Sequence, residues 1–402
     1  MTERALEGVR VLDLTQYIAG PMATWLLAGY GADVIKIERP DGGDPARKLG
    51  PFYHDETSPE KSGLFLYLNM GKRGTTLNLK HPLGVNIFKE LVKTADIVVE
   101  SFSPGVMARL GIDYETMEKI NPGLVMTSIS NFGQTGPYRD YKISELILYG
   151  MGGMMQTTGS SRREPVKNGE TVSLHQMGFY AATGTLGAYL GSVFQGVGQH
   201  VDMSMIEALI TNEEKAAYLI AYQHCGDEQP RMSSIEAGYP YGTYPCEDGY
   251  FDMQGGSAYW DRVVDMFDDQ EFLKDSKWYT PVAQADPALK EEFEAFLLNW
   301  SMQHTKQEIM QIAQDHRVPC GAVQDVSEVF SDSALNERGL FMELSHPLVG
   351  KLKYPGRPFI MSETPFQAQR PAPLLGEHNK EVYAEIGYAE EALAHLAEWG
   401  VI

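Results

Sequence analysis

The opening forty residues constrain the fold more than any other part of the chain. VRVLDLT (residues 9–15) is a short β-rich apolar run, GPMATWLLAGYGA is helical with small residues suited to close packing, and DVIKIE is a second apolar run. Strand, helix and strand in that order make a βαβ unit, whose two strands lie parallel and are joined by a right-handed crossover. The alternation continues with an amphipathic helix from Pro82 to Thr94 and strands in ADIVVES and GLVMTSIS. The predicted class is therefore α/β: an open parallel sheet with helices on both faces and a ligand site at the carboxyl ends of its strands.

Beyond this, residues 145–194 are rich in Gly, Ala, Met and Leu and read as helix packed on helix. GQHVDMSM returns to a strand and leads into a helix predicted from Ile206 to Tyr222. After Cys225 the character changes: GYPYGTYPCEDGYFDMQ carries turn signals and short strands, and acidic helices follow over 259–316. The segment from Asp332 is punctuated by proline and ends in a predicted helix from Glu377 to Ile386. The expected organisation is a large Rossmann-like domain over 1–210, a smaller α+β domain over 225–327, and a return segment over 328–402 that completes the large domain.

The 402 residues carry 33 Lys plus Arg against 54 Asp plus Glu, a formal charge of −21. That balance argues against nucleic acid or an anionic membrane as partner, while a local basic pocket could still take an anionic ligand. No apolar run reaches bilayer length, and the N-terminus lacks a signal design. Cys225, Cys246 and Cys320 have no metal-ligand spacing, so the expectation is a cytoplasmic protein without a metal.

Residues 16–21, after the first strand, lack the G-x-G-x-x-G spacing of a dinucleotide site, so NAD is not expected. Arg39, Arg47, Lys72, Arg73, Arg109 and Lys142 fall at predicted strand ends and loops. They read either as cations for a phosphorylated ligand or as solvated surface charges. Glu145 could act in acyl chemistry or stabilise a helix N-terminus, and His175 reads as a structural histidine.

Taken in order, several segments resemble class III CoA-transferases, the CaiB/BaiF family: LDLTQYIAGPMATWLLAGYGADVIKIERPDGGDPAR, LNMGKRGTTLNLKHPLG, ADIVVESFSPGVMARLGI, NPGLVMTSISNFGQTGPY, GQHVDMSMIEAL, VPCGAV and APLLGEH. The resemblance implies a two-domain fold with the chain crossing twice between domains, and two subunits interlocked like links of a chain. It implies a CoA thioester as substrate, with no tightly bound cofactor. Arg39, Lys72, Arg109 and Lys142 match CoA-contacting positions, as do the backbone groups of Tyr17 and Ile18. Ser101 replaces an asparagine common in the family. Glu145 matches an acidic position near the reacting acyl group, and Asp202 matches a structural one.

The family nucleophile is an aspartate that becomes acylated and then carries CoA as a thioester. Its motif aligns with Leu174-His175-Gln176-Met177-Gly178, and both family glycines fit at Gly178 and Gly184, so the aspartate slot holds Leu174. A leucine side chain cannot be acylated, so no catalytic residue is assigned here, with Glu145 kept as an accessory carboxylate. The resemblance then implies the non-catalytic subunit of a heteromeric enzyme whose paralogous partner supplies the aspartate. Such pairing occurs in the branch that moves CoA from succinyl-CoA to benzylsuccinate in anaerobic toluene degradation. Two other readings stay open: a self-sufficient homodimeric transferase using Glu145 or His175, and a protein that binds acyl-CoA without reacting. The racemase branch of the family would need an aspartate at Leu174 and a histidine near Ser144, and neither is present.

Overall fold

The computed structural model describes residues 4–211, 214–226, 231, 238–268 and 270–402. The chain forms two compact units, one from residues 1–154, 168–220 and 337–402, the other from 155–167 and 221–336. The second unit thus takes in a short early excursion, 155–167, that lies outside the 225–327 read from composition.

In the first unit β1 (Arg10–Leu14), β2 (Asp33–Glu38), β3 (Arg73–Thr76), β4 (Ile97–Glu100), β5 (Val125–Ser130) and β6 (Gln199–Ser204) form one sheet. Their order is β3-β2-β1-β4-β5-β6, and every pair is parallel. This doubly wound order reverses direction between β1 and β4, opening a crevice at their carboxyl ends. Strands β1 to β5 are buried almost throughout, which is why β1, β2 and β4 read as near-continuous apolar runs rather than as an alternation, whereas the edge strand β6 is exposed or half-buried over its first four residues.

Helices cover both faces. One face packs Leu12, Ile35, Val98 and Met126 against Ile87, Phe88 and Leu91 of α1 (Pro82–Val92) and against Val382, Tyr383 and Leu393 of the C-terminal helices. The return segment is pinned there by polar contacts too, since Tyr383 donates its hydroxyl to the Thr76 carbonyl at 2.6 Å. On the other face the helix Ala19–Gly29, buried along its whole length, lies against the helix Val172–Gln195. Gly178 permits that approach, because a Cβ there would stand 2.6 Å from Met22 Cβ. A glycine matched by family resemblance thus has a steric role in the helix packing.

The predicted helix 206–222 is two helices, Met205–Ile210 and Glu214–Cys225, with residues 212–213 outside the described set. The proline-punctuated stretch contains an antiparallel hairpin, β10 (Phe341–His346) with β11 (Gly350–Pro355). The last helix, Glu390–Glu398, was not foreseen in the sequence.

The second unit holds an antiparallel sheet of β7 (Tyr241–Cys246), β8 (Gly249–Gln254) and β9 (Cys320–Ala322). Its core is aromatic: Tyr239, Trp260, Trp278 and Phe293 are buried together, with the Tyr239 and Phe293 rings stacked at 5.3 Å. No helix among the described residues is long and apolar enough to cross a membrane, and no group of three His, Cys, Asp or Glu side chains there could hold a metal.

Candidate functional site

The crevice between β1 and β4 is built from the turns that leave those strands. Gln16 follows β1 and donates its backbone N–H to Ser101 Oγ at 2.9 Å, tying the two turns together. Tyr17 sits at a left-handed φ of 73°, which a bulky residue adopts only when its surroundings hold it. They do so here. Its N–H donates to Asp44 Oδ1 at 3.0 Å, and Lys36 Nζ donates to Asp44 Oδ2 and to the Thr15 carbonyl, both at 2.7 Å. Lys36 and Asp44 are buried, so the support is a desolvated ion pair rather than a solvated one.

Two cavities open along this carboxyl edge. The smaller, about 340 Å³, is lined by Tyr17, Ala19, Ser101, Ile129, Lys142, Leu174 and Met205 among others. The larger, about 570 Å³, is lined by Arg39, Leu77, Asn78, Lys80, Val106 and Leu110 among others. Gln16 and Phe102 belong to both walls, so the turn after β4 divides one cavity from the other.

Leu174 is 7% exposed and forms part of the smaller cavity's wall. Its neighbour Ser173 donates its hydroxyl to a Glu145 carboxylate oxygen, which brings that carboxylate to the residue beside Leu174. Glu145 opens the helix Glu145–Met151, just after Lys142 and Ile143, which line the cavity. The Nδ1 atom of His175 lies 3.0 Å from the Thr171 carbonyl, four residues back along the helix, consistent with the structural reading.

The expected ligand residues separate into groups. Tyr17, Ser101 and Lys142 line the smaller cavity and Arg39 the larger, where its Nε donates to the Gly43 carbonyl at 3.0 Å. The Ile18 side chain is buried at the start of the helix Ala19–Gly29, so only its backbone could face a ligand. Arg109 lies outside both walls, on the short helix Val106–Leu110 beyond the dividing turn.

Lys72 requires a correction. Its ammonium is fully buried and bonds Asp13 Oδ2 (3.0 Å), the Pro21 carbonyl (3.0 Å), Thr24 Oγ1 (2.8 Å) and Asn69 Oδ1 (2.9 Å). It is a core cation balancing Asp13, and it lines neither cavity. Burial alone would raise the Asp13 carboxyl, but Lys72, Lys36 and the hydroxyls of Thr15 and Thr24 hold it down at about 2. Arg47 and Arg73 are likewise engaged, with Glu38 and Glu60 for one and Asp33, Glu381 and Glu385 for the other. Three of the six cations read from strand ends are therefore structural.

Sequence reasoning passed over Gln16, Asn78, Lys80 and Arg139, all of which line cavities. The first three could have been found, since Gln16 lies two residues past the end of β1 and Asn78 and Lys80 follow β3. Arg139 carries no local signal. It lies on a loop shaped by Phe132, Tyr138 and Tyr141, whose rings pack with centroids 4.9–6.2 Å apart. Asp202 anchors the start of that loop, accepting the Gln134 N–H at 2.9 and 3.1 Å.

Glu100, the last residue of β4, is buried beneath the dividing turn and accepts the Phe102 N–H at 2.7 Å. Burial, with Asp202 adding to it, pushes its carboxyl up to about 7 against the Ser128 and Phe102 hydrogen bonds. Between pH 4.5 and 7 the folded chain therefore holds a proton that the unfolded chain has lost, so stability falls as pH rises through that window. The full effect is about 3 kcal/mol. Glu100→Gln keeps the acceptor for Phe102 and removes the charge. Urea midpoints for this variant should be flatter than wild type between pH 5 and 8, and parallel curves would contradict the assignment.

The chain matches the model of CoA-transferase family III over residues 6–379. It is 33% identical to a succinate–glutarate CoA-transferase of Agrobacterium fabrum, with 95% of each chain covered. It is equally 33% identical to a formyl-CoA:oxalate CoA-transferase of Streptomyces coelicolor, over the whole of both chains. Among solved structures it resembles a CaiB/BaiF family protein from Brucella suis, with a TM-score of 0.85, 29% identity, and 96% of this chain and 100% of that one covered. The chain belongs to CoA-transferase family III, whose fold its doubly wound sheet reproduces.

Proposed function

We propose that this chain is a CoA-transferase that moves CoA between an acyl-CoA and a carboxylic acid, with Glu145 serving as the covalent carboxylate in place of the family aspartate. The contact between Ser173 and Glu145 carries the reading, because it sets a carboxylate beside the residue that fills the aspartate slot. The CoA nucleotide would occupy the larger cavity with Arg39 and Lys80, and the thioester would reach the smaller one beside Leu174. The relatives are named for succinate, glutarate and oxalate, so a dicarboxylic acid is the proposed partner substrate.

In this scheme the Glu145 carboxylate attacks the thioester carbonyl and expels CoA thiolate, leaving a mixed anhydride. The thiolate then attacks the glutamyl carbonyl, releasing the first acid and leaving a glutamyl-CoA thioester. The second acid repeats the two steps in reverse, so no water or external base is consumed. Two copies would interlock, as the resemblance implies.

A second reading follows from Leu174 itself. An aliphatic side chain on the wall of an otherwise intact site suits the silent half of a heteromer, in which a paralogous subunit brings the aspartate and benzylsuccinate accepts CoA from succinyl-CoA. The purified chain, given succinyl-CoA and a second dicarboxylic acid, separates the two. Self-sufficiency predicts exchange by the chain alone, lowered on the order of 10³-fold in Glu145→Gln, equivalent to about 4 kcal/mol of barrier. Exchange that begins only when the paralogous subunit is added, and that ignores Glu145→Gln, would establish the second reading instead.

A further inference from the structure

Ser130 ends β5 and is 6% exposed, yet its hydroxyl has no hydrogen-bond partner among the described residues. The other buried serines there, Ser62, Ser128, Ser173, Ser204 and Ser301, are all bonded. A buried hydroxyl left unpaired gives up its hydration without compensation, so a position that keeps one calls for a reason. Ser130 lines the smaller cavity, and Asn131 follows it on the same wall, its backbone carbonyl accepting the Ile206 N–H at 3.1 Å. Strand alternation fixes which way Ser130 faces. Thr127 Oγ1 meets Thr185 Oγ1 of the helix Val172–Gln195 at 2.7 Å, so Thr127 and Ile129 point toward that helix and Ser128 and Ser130 to the other face of the sheet. Ser130 therefore turns away from the helix that carries Leu174. Gln16 and Phe102, which follow β1 and β4, border the larger cavity, and Ser130 and Asn131 stand one strand farther on. Among the described residues the one acid on this wall, Asp140, is exposed.

We propose that Ser130 and Asn131 form a subsite for the distal carboxylate of a dicarboxylic acyl group, the end that does not react. The inference rests on the CoA-transferase reading and deepens it, because it names what would select a dicarboxylic acid. The other polar parts of the ester belong elsewhere. The reacting carbonyl lies beside Leu174 and Glu145, on the side from which Ser130 turns away. The CoA arm enters past Gln16 and Phe102, one strand short of Ser130. That leaves the far end of the acyl group. A carboxylate there only accepts hydrogen bonds, so it takes one from the Ser130 hydroxyl and one from the Asn131 amide together. A hydrocarbon end would leave the hydroxyl unpaired, so the residue that favours a succinyl group also penalises a butyryl group.

Calorimetry on the full chain tests this with succinyl-CoA and butyryl-CoA, in the Glu145→Gln background so that neither ester acylates the protein. The parent should bind succinyl-CoA on the order of 10-fold more tightly than butyryl-CoA. Ser130→Ala should erase that preference, weakening succinyl-CoA on the order of 10-fold and leaving butyryl-CoA unchanged. Ser130→Thr, which keeps the hydroxyl, should retain it. Asn131→Asp, similar in shape but charged, should weaken succinyl-CoA further than Ser130→Ala does and again spare butyryl-CoA. The urea midpoint of Ser130→Ala should match or exceed that of the parent, which separates lost binding from lost folding. Equal weakening of both esters would assign Ser130 to the CoA arm or the reacting carbonyl and overturn the proposal, as would no change in either. A parent chain that binds neither ester would overturn the CoA-transferase reading and the subsite with it. Binding of both esters without a preference overturns the subsite alone.

Discussion

Leu174→Asp is expected to give a chain that forms a covalent CoA thioester at residue 174 when incubated with an acyl-CoA. The position lines the smaller cavity, so a carboxylate there meets the site proposed for the thioester without rearrangement of the helix Val172–Gln195. Aspartate has the branched four-atom outline of leucine in a smaller volume, and Ile129 and Met205 on the same cavity wall are apolar. Desolvation would raise the new carboxyl, while Lys142 and Arg139 on the same cavity wall oppose that rise. The introduced charge should lower stability by about 1–3 kcal/mol. In a Glu145→Gln background the same change should restore exchange without a partner, on the order of 10³-fold above Glu145→Gln alone, equivalent to about 4 kcal/mol of barrier. Peptide mass spectrometry after trapping with hydroxylamine reads the outcome, because it distinguishes an adduct on residue 174 from one on Glu145. Intact CoA-ester binding with no adduct at 174 would show that the reacting carbonyl lies elsewhere.

Lys72→Met should be the most destabilising single change at this end of the sheet. It leaves Asp13 buried with Thr15, Thr24 and the more distant Lys36 but without its direct counter-charge, a loss of about 3–5 kcal/mol. The pH dependence should change in a defined direction. In the wild-type chain the Asp13 carboxyl is held below its unfolded value of 3.8, at about 2, so its contribution is present above pH 4 and is lost as pH falls toward 2. Removing Lys72 raises that carboxyl, and the acid limb should move to higher pH. Urea unfolding from pH 3 to 7 measures both effects. CoA affinity of the folded variant should stay unchanged, because Lys72 lines neither cavity. A specific loss of CoA binding at wild-type stability would return Lys72 to the ligand set.

The contrast between Lys72 and Arg139 shows how far the sequence could be read. Both are basic residues, and nothing in their local sequence distinguishes a core ion pair from a cation on a cavity wall. The difference arises from what lies opposite each side chain. Asp13, 59 residues earlier, takes up Lys72, whereas Arg139 meets Arg109 across Gly105. The same holds for Glu145, whose contact with Ser173 joins residues 28 apart across a loop.

What the sequence determined by itself is the parallel sheet, its carboxyl-edge site, the family, and the absence of a carboxylate at residue 174. These are properties of local periodicity, of helix–strand alternation and of the chemistry of one side chain, and they survive any arrangement of distant parts. Tertiary structure alone decided which charges are spent on one another and which remain to meet a ligand. It did so because Coulomb and desolvation energies depend on distances between residues far apart in the chain, and those distances exist only once the sheet has closed around them.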